Sequence, residues 1–299
     1  MKKTLSHLPG NKRNELKHIV STIRRLCNDV EMIILFGSYA RGDYKEEADL
    51  KPDRKSGDKS DYDILVVTRE KASAVNLDLW RKITQECESA GLSAYVRIIT
   101  HDIQELNIKL AEGQYFYSDI RKEGCLLYDS GNFKLARKRK LKPEERKRIA
   151  LDYFEQWFES AETFYENYEH NISKDNKRKY LNNAAFNLHQ VAEHSYKTVL
   201  LVFTNYTPSE HLLGLLGRMA SKHNSAFKDI FPQETREEQR LFDLLEYAYI
   251  GARYDPAYGI TREELEYLAE RVKPLLDLTK KICKAKIDSF TERIDKPLL

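Results

Sequence analysis

The chain is poor in the residues that punctuate β-rich folds, with 12 glycines and 8 prolines among 299 residues. That scarcity argues against a turn-rich all-β sandwich and for long helices. No apolar run approaches the ~20 residues that a helix needs to cross a bilayer. The opening stretch, residues 1–10, lacks the apolar core of a signal peptide. Four cysteines, Cys27, Cys87, Cys125 and Cys283, stand far apart with no Cys-x-x-Cys pair. Such thiols fit neither a disulfide framework nor a zinc site, and the expectation is a reducing cytoplasm. An excess of charge of one sign is lacking too: 50 Lys and Arg against 47 Asp and Glu leave +3. This is too little to imply nucleic-acid or membrane binding by itself. What is present is 41% hydrophobic and 32% charged residues, the mixture of folded cores under charged surfaces. At ~150 residues per domain, the length suggests two domains.

The first half mixes helix and strand signals. Leu16, Ile19, Val20, Ile23 and Leu26 follow the 3.6 period and predict a helix over 11–28. The apolar runs 32–36, 64–67 and 94–99 predict three short strands, with a helix over 74–90 and another opening at Asp102, whose carboxylate suits a cap. Residues 43–60 are rich in Lys, Asp, Glu and Ser without apolar periodicity, and read as a mobile surface insertion. The division predicted is residues 1–130, a solvated linker over 131–142 containing the basic run 137–140, and residues 143–299. That last part is helical throughout, with helices near 144–168, 178–204, 210–223, 234–252 and 261–291. Pro143 suits a first helical turn, and Thr261 with Glu264 has capping-box spacing.

Two stretches carry chemistry. Gly37-Ser38 falls where a strand ends and a helix begins, where glycine allows close backbone approach and N–H groups with a hydroxyl can hold phosphate oxygens. Asp61 and Asp63 are two apart, so on a strand both carboxylates leave one face. Paired carboxylates repel unless a cation neutralises them, and magnesium prefers carboxylates combined with substrate phosphates.

The ordered set Phe36-Gly37-Ser38-Tyr39-Ala40-Arg41-Gly42 and Asp61-Tyr62-Asp63, each with its apolar strand, resembles the nucleotidyltransferase superfamily. The resemblance implies that Gly37, Ser38 and Arg41 bind the nucleotide phosphates and that Asp61 and Asp63 are metal-binding and catalytic, with Mg2+ as cofactor. A rival register on Asp49 puts Lys51 at the second carboxylate's position and lacks a following apolar strand. Active members carry a third carboxylate on a later strand. The matching strand here, residues 95–99, has none, and Asp102 beyond its end is read as a cap.

The second half resembles the HEPN family through residues 185–193 with Lys197, through His211-Leu212-Leu213, and through Ala252-Arg253-Tyr254. The implied fold class of the whole chain is α+β: a small nucleotidyltransferase-type mixed α/β sheet domain followed by an all-α HEPN-like bundle. HEPN ribonucleases use Arg, then four to six intervening residues, then His. Here Arg253 is followed by no histidine, and Tyr258 takes that offset. Tyrosine, with a reference pKa near ~10, is a poor base at neutral pH. Arg253 and Tyr254 would bind phosphate and stack on a base, or Arg253 would pair with a bundle acid such as Glu246.

Three readings follow. The first is a nucleotidyltransferase that binds ATP or another nucleoside triphosphate with Mg2+ and transfers a nucleoside monophosphate to a hydroxyl acceptor, a small molecule or a protein tyrosine. The second is a catalytically degenerate nucleotide-binding or toxin–antitoxin-like module, favoured by the missing third acid and missing histidine. The third is a HEPN ribonuclease with RNA as partner. The HEPN resemblance also implies a homodimer, with the apolar positions Leu241, Phe242, Leu244, Leu245 and Tyr249 as a candidate interface, and no membrane partner.

Overall fold

The predicted opening helix forms as α1 (Gly10–Leu26), with Leu16, Ile19 and Ile23 buried along one face. The order continues β1 (Val30–Phe36), α2 (Gly37–Arg41), β2 (Tyr62–Thr68), α3 (Lys71–Ala74), α4 (Leu77–Ser89), β3 (Val96–Asp102), α5 (Ile103–Glu112), α6 (Tyr115–Glu123) and β4 (Cys125–Asp129). The computed structural model describes residues 1–2, 4–49, 59–208 and 211–290. The strands form one mixed sheet in the order β3-β2-β1-β4, with β2 and β3 parallel and the other pairs antiparallel. Both faces of this sheet are covered, so β1 and β2 read as continuous apolar runs. Ile33, Leu35, Ile64 and Val66 pack on one side with Ile19 and Ile23 of α1 and Trp80 and Ile83 of α4. Met32, Ile34, Leu65 and Val67 pack on the other with Ile103, Leu106 and Leu110 of α5 and Ile120 of α6.

Asp102 caps α5, its Oδ1 accepting from the N–H groups of Gln104 at 3.0 Å and Glu105 at 2.9 Å. The predicted mobility of the 43–60 insertion falls mainly on residues 50–58, outside the described residues. The base of that insertion is tied, since the Ser60 N–H donates to the Lys45 carbonyl at 3.0 Å and the Lys45 N–H donates to Ser60 Oγ at 2.9 Å.

The chain divides into two compact units, Met1–Lys140 and Leu141–Leu299. Part of the stretch read as a solvated linker lies along α5. The Ala136 N–H donates to Asn107 Oδ1 at 2.7 Å, and the Arg139 N–H donates to the Ala111 carbonyl at 3.0 Å. Phe133 and Leu135 add apolar contact with the core under α5.

The second unit is helical: α7 (Pro143–Ile172), α8 (Arg178–Thr204), α9 (Leu213–Ala220), α10 (Arg236–Tyr254) and α11 (Arg262–Asp288). Thr261 and Glu264 form the expected capping box, with Glu264 accepting from the Thr261 N–H at 2.8 Å and Thr261 Oγ1 accepting from the Glu264 N–H at 3.2 Å. Thr235 and Glu238 open α10 in the same way. α8 is buried around most of its circumference, as a central helix must be. The chain is therefore α+β, a mixed α/β sheet domain followed by an all-α bundle. Among the described residues, no helix is long and apolar enough to cross a membrane.

Most of the candidate dimer surface on α10 is turned into the bundle of the same chain. Leu241, Phe242 and Leu245 are buried within this bundle, and Leu244 packs against the same core. Tyr249, the remaining candidate position, is half-buried and stacks on His211 at 4.1 Å between ring centroids.

Candidate functional site

The end of β1 places the first site residues. Phe36 pairs with Asp63 in the antiparallel register of β1 and β2, so Gly37 emerges beside Asp63. Gly37 has φ +70, and a Cβ there would overlap Asp63 Oδ2 and lie 3.1 Å from its Cγ. Backbone sign and space both demand glycine. Ser38 follows in the first turn of α2, half-buried. Gly42, at φ +97, ends that turn with its N–H donating to the Ser38 carbonyl at 2.8 Å. Arg41 is exposed, and its Nε donates to the Asp43 carboxylate at 3.1 Å.

Asp61 and Asp63 leave the same face of β2, as their spacing predicts. Tyr62 between them turns into the opposite core and donates its hydroxyl to Glu15 Oε2 at 2.8 Å. The two carboxylates remain 27% and 19% exposed, partly sunk yet open to a ligand. Burial pushes the Asp63 carboxyl above the usual carboxylate range, with Arg97 pulling it down and the Asp61 charge pushing it up. The rival register on Asp49 has no strand at its first acid. Asp49 lies in a single 3-10 turn (Glu47–Asp49), where it accepts from the Glu46 N–H at 2.8 Å, and Lys51 lies outside the described residues.

The residue absent from the sequence reading of this site is Arg97. β2 and β3 run parallel with Asp63 directly opposite Arg97. Arg97 Nη2 donates to Asp61 Oδ2 at 2.9 Å, and Nη1 stands 3.9 Å from Asp63 Oδ1. A base therefore occupies the strand where the resemblance implies a third acid. Arg97 shares the period-2 parity of Ile99, which packs on the same face as Leu65, but the pairing of this strand with β2 is set by the fold. Among the described residues no group of three or more His, Cys, Asp and Glu gathers around a metal position. Two carboxylates suit a single magnesium ion that takes its remaining oxygens from substrate phosphates and water. The donor set fits such an ion, which Asp61 and Asp63 would hold.

In the helical unit the expected residues separate. Arg253 ends α10, its Nε donating to the Tyr249 carbonyl at 2.8 Å. Its guanidinium carbon lies 4.8 Å from the Phe186 ring, 4.6 Å from Tyr249 and 4.8 Å from Tyr254. Tyr254 is exposed beside it. Glu246 is committed elsewhere, accepting from the Gly214 N–H at 2.8 Å, so the proposed Arg253–Glu246 pair is replaced by this aromatic setting. Tyr258 is in the core, not beside Arg253 in an open cleft. It is buried, and its hydroxyl donates to the Leu244 carbonyl at 3.2 Å. Burial pushes its phenol up, further from any basic role.

A buried polar network stands near Arg253. Glu193 on α8 accepts from Lys197 Nζ at 2.7 Å and from His211 Nδ1 at 2.9 Å, and His189 Nε2 lies 3.5 Å away. Burial alone would raise the Glu193 carboxyl. The His189, His211 and Lys197 contacts outweigh it and hold the group well below the usual range. Since an ionised carboxylate only accepts, His211 carries its proton on Nδ1. Its Nε2 lies 3.1 Å from the Tyr249 hydroxyl. The i,i+4 spacing of Glu193 and Lys197 was visible in the sequence; the arrival of His211 from outside the helix was not.

Comparison with protein families gives two matches. Residues 16–132 match the family described as Polymerase beta, Nucleotidyltransferase, and residues 154–282 match the HEPN domain. Gly37, Asp61 and Asp63 lie within the first match, and Glu193, His211 and Arg253 within the second. No curated protein matches the chain.

Proposed function

We propose, for a chain that joins a nucleotidyltransferase domain to a HEPN domain, that the sheet domain binds a nucleoside triphosphate and transfers its nucleoside monophosphate to a hydroxyl acceptor. The observation that carries this reading is the placement of the Asp63 carboxylate against the Cα of Gly37, with Asp61 on the same face. That arrangement brings the turn that would hold phosphate oxygens next to the carboxylates that would hold a divalent cation. Ser38 and Arg41 would meet the distal phosphates, and Asp61 and Asp63 would bind Mg2+. Magnesium supplies charge neutralisation at the phosphates. In the transfer, the acceptor oxygen bonds to the α-phosphorus, the α–β bridging P–O bond breaks, pyrophosphate leaves and the acceptor proton passes to solvent.

The second reading, a catalytically degenerate nucleotide-binding or toxin–antitoxin-like module, is favoured by one observation. Arg97 stands where a third carboxylate would act as base or second metal ligand. In the helical domain, a buried Tyr258 and the absence of any histidine after Arg253 speak against ribonuclease chemistry by the Arg–His route. Four buried free thiols support a reducing, cytoplasmic setting.

Titrating ATP with and without Mg2+, followed by assay of released pyrophosphate, tests the proposal. Saturable, metal-enhanced binding with pyrophosphate release in the presence of a hydroxyl acceptor supports the transferase. Binding without release across acceptor classes supports the degenerate module. No binding overturns both.

A further inference from the structure

Two carboxylates two residues apart on one face of a strand repel each other, and in this chain a side chain already answers their charge. Arg97 reaches both: a hydrogen bond of 2.9 Å to Asp61 and a looser 3.9 Å approach to Asp63. The backbone enforces this placement, since the parallel register sets Arg97 directly opposite Asp63 with both side chains on one face. The other nearby arginine, Arg41, is engaged with Asp43.

We propose that Arg97 is the resting counter-ion of the Asp61–Asp63 pair, and that an arriving nucleoside triphosphate draws its guanidinium away, so that a divalent cation binds these carboxylates only together with nucleotide. This rests on the nucleotide-binding reading above and adds an order of binding to it.

Three features carry the inference. The guanidinium engages Asp61 Oδ2 and stands 3.9 Å from Asp63 Oδ1, so a divalent ion entering beside it meets a like charge at close range. The hold is weak enough to break, because Arg97 is 62% exposed and has a single hydrogen bond to the pair. Finally, guanidinium prefers phosphate, whose oxygens it meets in bidentate fashion. A triphosphate entering over Gly37 and Ser38 would offer Arg97 a denser anion than the two carboxylates it leaves.

The test uses the full chain, Mn2+ as the metal probe and a non-hydrolysable ATP analogue as the nucleotide. Free Mn2+ is counted by electron paramagnetic resonance for wild type, Arg97→Gln and Arg97→Lys, first without nucleotide. Arg97→Gln is expected to bind one Mn2+ about tenfold more tightly than wild type, because a neutral side chain no longer competes. Arg97→Lys keeps the charge and is expected to stay close to wild type. The gain in Arg97→Gln should vanish when Asp61→Asn and Asp63→Asn are added. Addition of the analogue should tighten Mn2+ binding strongly in wild type and much less in Arg97→Gln. Equal Mn2+ affinity of wild type and Arg97→Gln without nucleotide, with the analogue still binding both, overturns the counter-ion and leaves nucleotide binding standing. Failure of the analogue to bind either protein overturns the handover together with the nucleotide reading.

Discussion

Gly37 and Asp63 occupy space that only a glycine leaves open: the Asp63 carboxylate rests where a side chain at position 37 would begin. The two residues are 26 apart in sequence, and the β1–β2 register brings them together through Phe36 and Asp63. One substitution thus disturbs the Gly37 turn and the carboxylate pair at once.

Gly37→Ala is expected to add roughly 1–2 kcal/mol of left-handed backbone strain and to displace the Asp63 carboxylate. Metal-supported ATP affinity should fall by about tenfold or more, a loss of about 1.4 kcal/mol per tenfold. Calorimetric titration checks the affinity, and a thermal melt lowered by only several degrees would show that the sheet domain still folds. Undiminished affinity would separate Gly37 from the site.

Glu193→Ala leaves the buried Lys197 ammonium without its carboxylate. Removing one partner of a buried pair costs about 3–5 kcal/mol. The expected result is a marked loss of urea resistance in the helical domain with nucleotide binding by the sheet domain unchanged. A loss under about 1 kcal/mol would place the network among surface-like ion pairs.

The same carboxylate sets a pH dependence. Its folded pKa lies below its ordinary value of 4.5. The stability it contributes is therefore fully present above about pH 4.5 and is lost as pH falls below it toward the folded pKa. Melting temperature measured from pH 6 down to pH 3 should drop more steeply for wild type than for Glu193→Gln. Parallel profiles would contradict this.

The helical domain should not cleave RNA. Arg253 has its aromatic setting, but no histidine follows it and Tyr258 is buried. Incubation of labelled single-stranded RNA with wild type and Arg253→Ala should give equal, background cleavage. Cleavage by wild type that disappears in Arg253→Ala would restore the ribonuclease reading.

Much of this was legible in the sequence wherever periodicity carried the information. The apolar runs gave β1, β2 and β3, and the spacing of Asp61 and Asp63 placed both carboxylates on one face. β4 escaped because Cys125–Asp129 is a short, half-buried strand with no alternation to mark it, directly after the polar helix α6. Arg97 escaped for another reason: its role depends on which strand lies beside β2 and in which register, a long-range pairing that no local pattern encodes. Tyr258 misled because its offset from Arg253 fitted a motif while its packing was set by tertiary contact. Gly251 leaves the room it fills, since a Cβ there would stand 2.7 Å from the Tyr258 ring.

The central claim is that Asp61 and Asp63 bind a divalent cation together with nucleotide beside Gly37. Titration calorimetry of ATP with Mg2+ into wild type and into the Asp61→Asn, Asp63→Asn double variant tests it most directly. The account predicts that Mg2+ enhances ATP binding to wild type and that this enhancement is abolished in the double variant, whose circular dichroism and melting profile remain those of a folded protein. Equal ATP affinity in the two proteins, each with Mg2+, would contradict it.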